Sequence, residues 1–83
     1  MKVLYFAWLR TRIGVAQETV EPPDEVATVG DLISWLRQRG GGYADALARV
    51  DVVKAAVNQE HVAHNHPVRS GDEVALFPPV TGG

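Results

Sequence analysis

The sequence has no cysteine among its 83 residues. This absence excludes disulfide bonds, thiolate metal sites, iron–sulfur clusters and a cysteine nucleophile, and it fits a reducing compartment. A chain of this length corresponds to one domain, close to the lower size at which a hydrophobic core sustains itself.

Long apolar runs and strongly basic segments are also missing. The longest apolar run, from Val3 to Leu9, is too short to cross a bilayer. No signal-peptide layout precedes it, so we expect a cytoplasmic protein with no membrane partner. The formal net charge is −2, with acids and bases interspersed. Because phosphate neutralisation drives nucleic-acid binding, we expect no nucleic acid as the main partner.

The sequence shows no recognisable catalytic set. It has no nucleophile-elbow serine and no pair of carboxylates whose spacing indicates acid–base chemistry. His61, His64 and His66 lie near Asp72 and Glu73, but a structural zinc site normally needs four ligands and often uses cysteine. We therefore predict that the chain has no metal site. We also predict that other proteins act on it and that it is not an independent enzyme.

Residues that favour strands fill five segments, at residues 2–8, 17–21, 52–57, 61–63 and 73–77. The first is apolar on both faces: Val3, Tyr5 and Ala7 alternate with Leu4, Phe6 and Trp8. A strand buried on both faces normally has helices on each side of its sheet. The chain has too few predicted helices for that, so one face is expected to be left for a partner.

One amphipathic helix is well marked. Thr28 and Asp31 stand at the positions of a capping box. The apolar residues that follow have helical spacing: Val29, Leu32, Ile33 and Leu36. The pattern predicts about three turns, stopped by the glycines at 40–42, which follow this helix and so offer no helix N-terminus to an anion. A short second helix is predicted over residues 43–49, and one helical turn closed by Gly14 between the first two strands.

Together these elements predict an α+β fold in which a mixed sheet of four or five strands curls around one main helix. The first and last strands should be central and parallel, because a long crossover connects them. The expected core comprises Val3, Tyr5, Val20, Leu32, Ile33, Leu36, Val57, Val74 and Leu76. The opposite face should then gather Leu4, Phe6, Ala75 and Phe77.

The domain is expected to cover residues 1–77, followed by an extended, flexible tail over 78–83. Pro78 and Pro79 cannot join a sheet ladder and favour an extended chain. Gly82 and Gly83 are slim and conformationally free. The six residues after Phe77 could reach roughly 20 Å, enough to enter a narrow tunnel in another protein. The alternative is a frayed terminus without a role.

An exposed α-carboxylate on Gly83 would be ionised at neutral pH and a poor electrophile. It would need activation, and ATP adenylation is the obvious route. The acyl-adenylate could then pass to a sulfur source, giving a thiocarboxylate, or to an amine, giving an isopeptide bond.

Five segments carry a likeness to a known family: Lys2-Val3-Leu4-Tyr5-Phe6-Ala7, Ala55-Ala56-Val57-Asn58-Gln59, His66-Pro67, Gly71-Asp72-Glu73-Val74-Ala75 and Phe77-Pro78-Pro79-Val80-Thr81-Gly82-Gly83. The sequence resembles the small, sulfur-carrying subunits of molybdopterin synthase, which are ubiquitin-like β-grasp proteins. The resemblance covers essentially the whole chain. Its ending is the most specific part, because ubiquitin-like proteins in general share only the two glycines.

The resemblance implies that an ATP-dependent adenylating enzyme activates Gly83 and that a sulfur-transfer protein converts it to a thiocarboxylate. The carrier would then dock on the large synthase subunit, in a heterotetramer of two small and two large subunits. Its tail, with Gly82 next to the reacting end, would donate sulfur to cyclic pyranopterin monophosphate. The chain itself would bind no cofactor, since ATP is used by the adenylating partner. The tail residues expected to contact the large subunit are Pro78, Pro79, Val80 and Thr81.

The resemblance also implies an apolar docking patch near the tail. Phe6 and Phe77 match two of its positions. The third, often leucine in the family, is His61 here, and this change could make docking pH-sensitive. The alternative for both phenylalanines is ordinary core packing.

Other functions stay open from the sequence. A carrier of the same fold could supply sulfur for thiamine or a tungsten cofactor. A covalent protein modifier would end with Gly83 in isopeptide bonds to lysine. A non-covalent β-grasp binding module would not need Gly83 at all.

Overall fold

The computed structural model describes residues 1–79, and within that range the chain forms five strands, three α-helices and one 3₁₀ turn. The strands are β1 (Lys2–Tyr5), β2 (Gln17–Thr19), β3 (Lys54–Val57), β4 (Glu60–Val62) and β5 (Glu73–Phe77). The helices are α1 (Ala7–Ile13), α2 (Val29–Arg37) and α3 (Gly41–Ala46), and the 3₁₀ turn is Val50–Val52. None of these helices is long and apolar enough to span a lipid bilayer.

The strands form one mixed sheet in the order β2-β1-β5-β3-β4. β1 and β5 are parallel, with Val3 opposite Val74 and Tyr5 opposite Leu76, while the other three pairs are antiparallel. The predicted central parallel pair and the mixed sheet of up to five strands are therefore confirmed. The predicted bounds of β5 are also correct, and β4 lies at the edge, as its short length suggested.

The core lies between the sheet and α2. Thr28 caps α2 as predicted: its hydroxyl accepts from the Asp31 N–H (3.1 Å), and the Asp31 carboxylate accepts from the Thr28 N–H (3.2 Å). All nine predicted core residues are buried, and Leu9 and Leu47 join them with no exposure. Full burial of each such side chain contributes about 1.5–3 kcal/mol to the free energy of folding, so packing against α2 stabilises the sheet.

The first predicted strand is too long. β1 ends at Tyr5, and the chain turns away from the sheet at Ala7, whose φ is +55°. α1 then buries Leu9 and ends at Gly14, which has φ +99° and is the predicted C-cap. Trp8 therefore lies on a helix and not on the sheet. The strands predicted at residues 17–21, 52–57 and 61–63 also differ from β2, β3 and β4 by one or two residues at their ends.

The prediction that the glycines at 40–42 only stop a helix is wrong in part. α2 ends at Arg37, whereas Gly41 and Gly42 begin α3, a helix predicted two residues later. A Cβ on Gly42 would collide with the backbone carbonyl oxygen of Arg12. The absence of a side chain at this position thus allows α3 to lie directly against α1.

A polar cluster joins β1, β2, α3 and the end of α2. The hydroxyls of Tyr5 and Tyr43 donate to Glu18 Oε2 at 2.8 and 2.6 Å, and Arg39 donates to Glu18 Oε1 at 2.9 Å. Burial opposes ionisation of Glu18, but these hydrogen bonds outweigh it and lower its pKa. Burial and the bond to Glu18 raise the pKa of Tyr5. The cluster is therefore held with Glu18 charged and both tyrosines protonated.

Replacement of Glu18 should show how far the stability of the domain depends on ionisation of this side chain. The lowered pKa means that Glu18 contributes stability that is complete above about pH 5 and is lost as the pH falls through the folded-state pKa. We expect Glu18→Gln to lower the free energy of unfolding at pH 7 by about 1–3 kcal/mol, since it removes charged hydrogen bonds. Its further loss of stability between pH 6 and pH 3, measured by urea unfolding, should be smaller than in the unmodified protein.

Glu21→Gln is the matched control, because Glu21 is exposed. It should change stability by no more than about 0.5 kcal/mol. Equal acid sensitivity of the unmodified protein and Glu18→Gln would contradict the account.

Candidate functional site

The sheet face opposite α2 carries two rows of side chains. Register places Leu4, Ala75, Ala56 and His61 in one row across β1, β5, β3 and β4. The next row, toward the end of β5, contains Phe6, Phe77 and Lys54. We call these seven residues the open face. The core cluster lies on the other face of the sheet, and of the seven residues only Ala56 is buried.

Phe6 and Phe77 both lie at the same end of the central strand pair. The Phe6 N–H donates to Leu76 O at 3.1 Å, and this hydrogen bond holds Phe6 beside the C-terminal end of β5. Phe6 is 47% exposed, and Phe77 is half-buried. Neither belongs to the core cluster, so the core-packing alternative is wrong for both. The turn at Ala7 keeps Phe6 on the surface while Leu9 enters the core.

His61 lies against Phe77. Their ring centroids are 5.2 Å apart with the planes tilted by 55°. The two rings border an open groove of about 430 Å³, lined by Lys54, Ala55, His61, Val62, Ala63 and Phe77. The three predicted docking positions thus lie on one surface, and two of them, His61 and Phe77, line the groove.

The other two histidines point elsewhere. A ring nitrogen of His64 lies 2.6 Å from Val53 O, and one of His66 lies 2.8 Å from Pro67 O. Asp72 instead accepts from Asn58 and from the Arg69 N–H, and the burial cost is outweighed by these bonds, so its pKa is lowered. Across residues 1–79, no group of three or more His, Asp or Glu side chains is placed to hold a metal ion.

The segment predicted to form the tail follows β5. β5 ends at Phe77, and Pro78 and Pro79 lie outside helices and strands. Val80, Thr81, Gly82 and Gly83 lie outside the described residues. The open face therefore adjoins the point at which the tail leaves the sheet.

Sequence reasoning missed two surface features. Lys54 shares a row with Phe77, and period-2 alternation from Ala55 and Val57 was the signal that could have placed it there. Trp8, 39% exposed, stacks with Arg12, whose guanidinium carbon is 4.8 Å from the ring centroid. That pair depends on the helix α1, which the strand-like sequence concealed.

Comparison with known proteins identifies the family. The model of the ThiS family matches residues 3–83. The chain belongs to the ThiS family. It is 44% identical to the molybdopterin synthase sulfur carrier subunit of Escherichia coli, with 100% of this chain and 99% of the relative covered. It is 39% identical to the protein of the same name from Haemophilus influenzae, at the same coverage.

Among solved structures, the fold is similar to that of the small archaeal modifier protein 1 of Haloferax volcanii. The TM-score is 0.74 and the identity 32%, with 96% of this chain and 97% of that chain covered. The predicted resemblance to ubiquitin-like sulfur carriers and the predicted β-grasp fold are confirmed by these matches.

The placement of Phe6 outside the core leads to a stability test. We expect Phe6→Ser to change the free energy of unfolding by less than about 1 kcal/mol, because an exposed side chain is removed. Leu9→Ala, three residues along, should cost about 2–5 kcal/mol, because Leu9 is completely buried. Urea unfolding of both variants checks the contrast. A Phe6→Ser variant as unstable as Leu9→Ala would mean that Phe6 supports the core.

Proposed function

We propose that this chain is the sulfur carrier of a molybdopterin synthase. Its Gly83 carboxylate is adenylated by an ATP-dependent partner enzyme, converted to a thiocarboxylate with sulfur from a sulfur-transfer protein, and used to supply sulfur to cyclic pyranopterin monophosphate. The last step takes place in the cytoplasm, in a heterotetramer with two large subunits. The chain needs no bound cofactor, since ATP binds the activating enzyme.

The similarity that runs to the last residue carries this proposal. The family match extends to residue 83 and so includes Gly82 and Gly83. The Escherichia coli and Haemophilus influenzae relatives, both named as molybdopterin synthase sulfur carriers, are matched over 99% of their own length. A carrier function that depends on the terminal glycines therefore fits the whole chain.

The proposed reactions require a free C-terminal carboxylate on this chain and no binding pocket within it. The carboxylate of Gly83 attacks the α-phosphate of ATP and releases pyrophosphate, giving an acyl-adenylate. A persulfide of the sulfur-transfer protein then displaces AMP to form an acyl disulfide, and a second thiol of that protein cleaves the S–S bond to release the thiocarboxylate. After sulfur transfer to the pterin, water regenerates the carboxylate. Gly82 and Gly83 carry no Cβ, so no side chain obstructs the tunnel where each step occurs.

The body of the protein supplies a docking surface for this terminus. Phe6 and Phe77 lie at the end of the strands from which Pro78 and Pro79 emerge. Exposed aromatic rings at the centre of an interface are the side chains that contribute most to binding. Contact of the open face with the large subunit would therefore fix the distance between the docked body and the large subunit's active site.

Extension of the terminus tests the function. One alanine appended after Gly83 should abolish maturation of molybdenum enzymes, because the glycine carboxylate is then an internal amide. The measurement is molybdenum-enzyme activity in cells that have only the extended chain. Removal of the alanine by a protease in vitro is the control and should restore carrier activity. Normal maturation with the alanine still present by mass spectrometry would overturn the proposal.

Intact mass spectrometry of protein from cells detects the sulfur-loaded form, in which Gly83 carries a thiocarboxylate. Exchange of one carboxylate oxygen for sulfur should add about 16 Da. Phe6→Ser should still reach this mass when the activating enzymes are supplied, but should bind the large subunit about ten-fold or more weakly.

A covalent protein modifier is the second candidate, because a similar solved structure bears the name small archaeal modifier protein 1. The two functions differ in the fate of Gly83. A modifier is found in isopeptide bonds to lysine side chains, whereas a sulfur carrier returns to the free carboxylate after each turnover.

A further inference from the structure

The groove beside Phe77 has one apolar side and one cationic side. Phe77 supplies apolar surface from the open face, and Ala55, Val62 and Ala63 complete the apolar lining. Lys54 lies opposite Phe77 in the β3–β5 register, so both side chains project from the same face of the sheet. His61 is exposed and in contact with Phe77.

No acidic side chain shares this end of the open face. Glu60 neighbours His61 on β4, but strand alternation directs it to the other side of the sheet. Glu73 is on the open side at the far end of β5, where Lys2 lies opposite it. Within residues 1–79, Lys54 and His61 take part in no ion pair. The groove thus carries one permanent positive charge and a second group that can become positive.

We propose that this groove receives an acidic side chain of the large synthase subunit, carried on an apolar segment that packs over Phe77. The inference rests on the proposed function and adds the chemistry of the contact. The carboxylate pairs with Lys54, and His61 at the groove's rim donates a hydrogen bond to it. The groove is continuous with the docking surface around Phe6, so one partner covers both.

The contact would have a defined pH dependence. Histidine gains its proton between pH 8 and pH 5, so a second cation faces the carboxylate at the lower pH. Docking should therefore tighten as the pH falls from 8 to 6. Of the charged groups on β3, β4 and β5, Lys54 faces His61 on the open side, whereas Glu60 faces the other side and Glu73 lies at the far end.

Calorimetric titration of the purified large subunit with the full-length chain tests the proposal. Lys54→Glu should weaken binding about ten- to hundred-fold, because it places a negative charge against the carboxylate. Lys54→Arg should keep binding within about three-fold. The matched control is Arg37→Glu, an equal change of charge at an exposed position on α2, on the other side of the sheet, and it should leave binding unchanged.

His61→Leu supplies the second readout. It should bind with the same affinity at pH 8 and pH 6, with Lys54 still present, whereas the unmodified chain binds more tightly at pH 6. Circular dichroism confirms folding of each variant, all of which alter exposed residues. If Lys54→Glu binds as well as Arg37→Glu, the acidic contact is wrong, while binding of the unmodified chain still supports the carrier function. If the unmodified chain does not bind the large subunit at all, both proposals fail.

Discussion

The parallel pairing of β1 with β5 is the interaction on which the rest of the structure depends. It joins strands from opposite ends of the sequence, with β3 on the other side of β5. The pairing puts Val3 and Val74 into the core and leaves Leu4 and Ala75 on the open face. Without it, Phe6 and Phe77 would have no common surface and the tail would leave the domain at an unrelated place.

The elements with a strong local pattern could be predicted from sequence. The capping box of Thr28 and the spacing of Leu32 and Leu36 predicted α2, and alternation between two turns predicted β5 with its correct bounds. α1 could not be predicted in full, since Phe6, Ala7 and Trp8 continue a strand-like run. What ends the strand is a tertiary effect: Ala7 takes a left-handed conformation that sends Leu9 into the core.

α3 illustrates a second limit of local reasoning. Glycine is a poor helix former, so Gly41 and Gly42 are assigned to a helix stop from propensity alone. In the folded chain the small size of Gly42 is what permits contact with the Arg12 backbone, and packing between helices outweighs the propensity. That contact joins residues far apart in sequence, and nothing in the local pattern indicates it.

Part of the candidate site could also be predicted from the sequence. Phe6, Phe77 and His61 were placed by resemblance, and the sheet register explains why three distant residues share a surface. Alternation within β3 could have placed Lys54 on this face, but its position opposite Phe77 is fixed by the pairing of β3 with β5. The charge character of the groove is therefore a property of the assembled sheet.

The position of β5 has a mechanical consequence for the domain. A pull on Pro79 along the strand axis loads the ladders to β1 and β3 together, because β5 is paired on both sides. Hydrogen bonds perpendicular to the force must then break collectively in shear, whereas an edge strand could be peeled away one bond at a time. The domain can thus resist traction on its tail without local unfolding, and the strain falls on the short segment beyond Phe77.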